Sequence, residues 1–117
     1  MGRIAVLLAT IMLGNAQNAQ AGDAFLPMRG DEIRAALTDA RVVYSGKDQG
    51  RWQLFHADGR TLYVAGAESW GRWFVKEDQY CSSWPPASHV DCYDMLRAGD
   101  RVRFVGARGT IYEGGIK

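Results

Sequence analysis

Between Trp70 and Cys92 the chain reads WGRWFVKEDQYCSSWPPASHVDC, and this stretch limits the possible folds more than any other. It holds three of the four tryptophans, both cysteines, two of the three prolines and one of the two histidines. Large aromatics supply most of the buried area of a small core, and a cysteine pair can staple a domain of this size. Cys81 and Cys92 are expected to form a disulfide, and closing so short a loop contributes roughly 3 kcal/mol by loss of chain entropy in the unfolded state. The C-x10-C spacing is not that of a zinc site. Neither a redox-active C-x-x-C nor a haem-attaching C-x-x-C-H occurs.

At 117 residues the chain is one domain at most. Its first part has the layout of a secretory signal peptide: a basic start at Arg3, an apolar run from Ile4 to Leu13 broken only by Thr10, and Ala19-Gln20-Ala21 as an A-x-A cleavage site. The apolar run is too short to span a bilayer. The expected organisation is a leader over 1–21, a flexible arm over 22–30 and a single β-rich domain with an N-terminal helix over 31–117, placing the protein in the periplasm or outside the cell. The leader holds one base and no acid, so the rest carries thirteen of each and is neutral. A neutral chain lacks the concentrated positive charge that nucleic acid requires, and it has no polybasic patch for a membrane surface. A protein or small ligand of the periplasm is the expected partner.

Ile33, Ala36, Leu37 and Ala40 recur at helical spacing, which predicts a helix over Asp31–Ala40 with Asp31 as N-cap. After Arg41 every signal is of β type. Val42–Tyr44 is a short strand. Arg51–His56 alternates, with Trp52, Leu54 and His56 on one face and Gln53 and Phe55 on the other. Asp58-Gly59 marks a hairpin returning through Thr61–Val64. Ala65–Ser69 is a connecting stretch. Arg72–Lys76 places Trp73 and Val75 inward, and Gln79–Ser83 pairs with it. Trp84-Pro85-Pro86 ends that strand, because proline lacks the ladder donor. His89–Met95, Arg101–Val105 and Thr110–Glu113 complete the series. One helix and seven or eight short strands in sequential order predict a small antiparallel meander, closed as a barrel or half-barrel with the helix plugging one end. A two-sheet β-sandwich is the alternative.

Ser82, Ser83, His89 and Asp91 lie within ten residues and contain the groups of a hydrolase triad. No G-x-S-x-G elbow accompanies them, and a solvent-facing turn explains them as well. His56, His89, Met28 and Met95 are soft metal-ligand types, but no pair has helical i, i+4 spacing, so only folding could bring them together. Glu77-Asp78 and Asp91/Asp94 read as turn or solvated positions rather than as glycosidase acids. No calcium loop occurs. No catalytic residue, metal or cofactor is assigned.

The contact residues singled out are Trp70, Phe74, Trp84 and His89. Tryptophan is a typical interface anchor, and alternation puts Phe74 on the same side as Arg72 and Lys76. G-x-W-x-V at Gly71, Trp73 and Val75, Y-C-S-x-W-P over Tyr80–Pro85, D-C-Y over Asp91–Tyr93 and G-D-x-V-x-F-V over Gly99–Val105 resemble small exported alphaproteobacterial proteins that carry a domain of unknown function. The resemblance covers most of Tyr44–Gly114, and implies a periplasmic, disulfide-bonded β domain with no activity attached. G-x-W is also similar to the first strand of lipocalin-type barrels, although here it lies mid-chain. The expected function is a non-catalytic binding or accessory module, using its aromatic surface and the disulfide-held loop. The alternatives are an inhibitor of a periplasmic hydrolase such as a lysozyme, and a small hydrolase using His89. A barrel interior filled by side chains would argue against a small ligand; a hollow one would favour it.

Overall fold

The alternating segments form a ring. The computed structural model describes residue 2 and residues 24–117; apart from Gly2, the expected leader and its cleavage site lie outside the described residues. In chain order the elements are β1 (Leu26–Pro27), α1 (Gly30–Leu37), β2 (Ala40–Tyr44), a 3-10 turn (Gly46–Asp48), β3 (Trp52–Phe55), β4 (Arg60–Ala65), β5 (Ala67–Lys76), β6 (Gln79–Ser83), β7 (Val90–Ala98), β8 (Arg101–Gly106) and β9 (Ile111–Ile116). From β2 to β9 each strand pairs antiparallel with the next, and β9 returns to β2 through Val42↔Ile116 and Tyr44↔Gly114. The result is a closed eight-stranded meander barrel, and closure leaves neither the half-barrel nor the sandwich alternative standing.

Three boundaries differ from the sequence reading. The arm expected to be flexible is held over residues 26–28: Leu26 and Pro27 pair with Arg97 and Leu96 of β7, and Met28 is buried. The helix begins at Gly30 and ends at Leu37, with Arg29 rather than Asp31 at the N-cap position. Its first free amide, Gly30 N–H, donates to Asp78 Oδ1 at 2.8 Å, so a carboxylate from the β5–β6 turn satisfies one of the orphan donors of the helix start. A glycine is required there, because a Cβ would strike the Glu77 carbonyl. At the other end Asp39 takes φ 59° and Ala40 pairs with Phe55, so ladder formation overrides the helical spacing that Ala40 continues. Finally, Ala65–Ser69 is no connector. Gly66 alone turns the chain, and β5 runs ten residues from Ala67.

Side chains facing inward fill only one end of the ring. Ile33 and Leu37 of α1 are wholly buried and meet Val42, Phe55, Trp73, Met95 and Val102 in one cluster with Met28 and Phe104. Phe55 sits at its centre, edge-on to Trp73 and Tyr80 at 5.7 Å each and stacked with Phe104 at 6.4 Å. Trp73 and Val75 point inward as alternation requires, and Trp73 Nε1–H donates to the His56 carbonyl at 2.9 Å. Too short to hold alone, the helix is stable because its apolar stripe closes this end. The Cys81–Cys92 disulfide joins residues directly opposite each other in the β6–β7 ladder.

Candidate functional site

At the end away from α1 the barrel is hollow. A cavity of about 430 Å³ opens there, lined by Tyr44, Arg51, Gln53, Tyr63, Ser69, Tyr80, Ser82, Trp84, Tyr93, Phe104 and Tyr112. All five tyrosines of the chain belong to it. They come from five strands, each at an inward position of the same barrel end, because antiparallel neighbours bring the end of one strand beside the start of the next.

The floor is a hydrogen-bonded set. Tyr44 O–H donates to Gln53 Oε1 at 2.6 Å. Gln53 Nε2 donates to Thr61 Oγ1 at 2.9 Å and to Tyr80 Oη at 3.2 Å, and Thr61 O–H donates to the Leu54 carbonyl at 2.7 Å. Buried polar groups placed this way hold one another rigid. Burial, followed by its tyrosine neighbours, pushes the Tyr44 phenol well up; burial does the same to Tyr80, against weaker opposing hydrogen bonds from Ser82 and Gln53. Tyr93 is raised by burial and then by Asp91. At neutral pH the cup therefore presents neutral O–H groups, able both to donate and to accept.

Aromatic faces and edges form the wall. Tyr63 stands edge-on to Tyr44 at 6.0 Å and to Trp84 at 6.1 Å, and Tyr93 edge-on to Tyr112 at 6.2 Å. Trp84 turns inward over Gly71, where a Cβ would lie 2.5 Å from its ring, and its Nε1–H donates to Ser82 Oγ at 3.3 Å. On the rim Arg51 donates to the Tyr63 hydroxyl and to Asp48 Oδ1, both at 3.2 Å, and the Tyr63 bond raises its affinity for its proton further. Asp48 is buried, and its second oxygen has no partner. Lys47 lies 4.6 Å over the Tyr112 ring.

The four contact residues expected from sequence separate. Trp84 lines the cup. His89 lies on the loop at its mouth, largely exposed, with Nε2 3.4 Å from Asp91 Oδ2. Trp70 and Phe74 are on the outer wall, 48% and 43% exposed. Ser82 faces inward to Trp84, and among the described residues no serine hydroxyl bonds to His89, so the triad groups are not assembled. Met28 and Met95 lie in the filled core, while His56 stacks on Trp70 outside it. Among the described residues no three His, Cys, Asp or Glu side chains gather as metal ligands, and no helix is long and apolar enough to cross a membrane.

The tyrosines were missed as a group. Their signal was present: Tyr44, Tyr63, Tyr80, Tyr93 and Tyr112 recur about once per hairpin, in phase with the core residues Val42, Thr61, Met95 and Gly114 on their strands.

Fold and site together define a class: a one-end-plugged meander barrel with a polar-aromatic cup. Compared with known protein families, with curated proteins and with solved structures, the chain matches none.

Proposed function

We propose that the protein is a non-catalytic binding module that takes a small, flat, largely apolar ligand into the cup, and that it works outside the cytoplasm, where a disulfide persists. The hollow half of the barrel carries this reading. Its volume of about 430 Å³ falls among small-molecule sites, and it combines aromatic walls with a few fixed polar groups, as such sites do. Neutral phenols on the floor suit a ligand bearing carbonyl or hydroxyl oxygens, and Arg51 offers its remaining N–H groups at the rim. The floor groups are held by hydrogen bonds to one another, so little ordering is needed on binding.

Titration with the uncharged fluorophore N-phenyl-1-naphthylamine tests this. One saturable site with a dissociation constant on the order of 10 μM is expected. Ser69→Trp, at the exposed edge of the cavity, should abolish it while leaving the protein folded. Absence of saturable binding, or binding unaffected by Ser69→Trp, would count against the proposal. A protein that inhibits a hydrolase through its exposed 85–90 loop would keep that property in Ser69→Trp, which separates the two readings.

A further inference from the structure

Outside the cup, one cluster is not explained by packing. Arg60 of β4 and Arg72 of β5 are directly opposite in the ladder, on the outer face of the barrel. Like charges directly opposite each other destabilise a sheet. Asp58 answers only one of them, its Oδ2 lying 2.8 Å from Arg60 Nε. Among the described residues Arg72 makes no ion pair. The two arginines border an open groove of about 370 Å³ whose other sides are Trp70, Gly71 and Pro85. Trp70 is half exposed yet held in place, with the His56 ring stacked on it at 5.8 Å and 18° and the Arg60 guanidinium 5.4 Å from its centroid.

We propose that this groove is an oxyanion subsite, in which Arg72 and Arg60 hold a carboxylate or phosphate group while the ring that carries the group lies against Trp70 and Pro85. The donor set is what selects the class. Guanidinium forks match the planar carboxylate and the phosphate face and leave no acceptor for a cation. An indole and a proline ring beside them favour a ligand with an apolar ring face, an acidic sugar being the simplest. One uncompensated charge is too little for a nucleic acid, which is held by many phosphate contacts. The subsite lies on the opposite face of β5 from the cup and does not depend on the cup's being occupied.

The test uses the full chain labelled with nitrogen-15, following the Trp70 indole N–H and the Gly71 backbone N–H, the latter serving alone in Trp70→Ala, while glucuronate, glucose 6-phosphate, glucose or inorganic phosphate is added. Both acidic sugars should shift those signals saturably, and glucose should not. Whichever acidic sugar binds more tightly tells whether carboxylate or phosphate is the natural group. Arg72→Gln and Trp70→Ala should each weaken binding at least roughly tenfold, and Arg72→Lys, which keeps the charge and loses the fork, should also weaken it. Arg108→Gln, in the β8–β9 turn, should change nothing. The proposal is overturned if neither acidic sugar saturates by roughly 20 mM, or if Arg108→Gln weakens binding as much as Arg72→Gln. It is equally overturned if inorganic phosphate binds as well as the sugar phosphate, which would leave an adventitious ion only.

Discussion

The two ends of the barrel are built from the same strands and solve opposite problems. At the helix end, Ile33, Leu37, Val42, Phe55, Trp73 and Val102 fill the ring completely. At the other end, the same strands carry tyrosines, Gln53 and Ser82 around a cavity. A small domain has little apolar area to spare, so leaving half the interior open is supported by concentrating the packing in the other half. The open cavity at one end therefore rests on density at the other.

The largest test of this contrast is a pair of aromatic truncations. Phe55→Ala, at the centre of the filled end, should destabilise by about 3–5 kcal/mol in chemical denaturation. Tyr112→Ala, on the half-buried cup wall, should cost well under half of that and weaken fluorophore binding instead. Equal costs would show that the cup is part of the structural core. Replacing both cysteines by serine should cost roughly 3 kcal/mol, because it frees the loop between β6 and β7 in the unfolded chain; the loss would appear as a lower denaturation midpoint, with a slope somewhat steeper than the parent's because the unfolded chain is less compact.

Gly71→Ala joins the two ends. Its Cβ would meet both the Trp84 ring and the Ser83 carbonyl, at 2.5 and 2.6 Å, with a cost of about 1–3 kcal/mol. The ring should be displaced from the cup wall and the fluorophore affinity should fall. An unchanged affinity would mean that Trp84 is not part of the binding wall.

The smallest effect is a pH dependence on the outer wall. Glu113 is held below the usual carboxylate range by hydrogen bonds from Arg103 and then Arg101, at 2.6 and 2.9 Å. A carboxyl whose pKa is lowered by folding adds stability above its unfolded value, about 4.3, and loses that contribution as pH falls through the folded value. Glu113→Gln should therefore be less stable than the parent at neutral pH and should lose less on acidification, the two curves converging in acid. Parallel curves would remove Glu113 from the account.

The strand series was legible because alternation and turn residues are local. Trp73, Val75 and the Asp58-Gly59 hairpin needed no knowledge of the rest of the chain. The disulfide was legible from the presence of two cysteines alone. The cup was not, because each tyrosine looks like an ordinary half-buried strand residue until closure places five strands side by side. Trp84 stood out in the sequence as a candidate contact residue, but its inward turn depends on the missing side chain at Gly71, thirteen positions away. The helix ends were misplaced for the same kind of reason: Asp78 and Phe55, which set them, are distant in sequence.

Closure also has a bearing on the order of assembly. Seven of the eight ladders that close the barrel join strands adjacent in the chain, so they can zip in short steps, whereas β2–β9 unites Val42 with Ile116 and must wait for the others. That seam runs the full height of the barrel: Tyr44 and Tyr112 flank it at the cup, Val42 and Ile116 at the plug. A complete cup is thus the last feature the folding chain acquires, and unzipping this one joint would remove cup and core together.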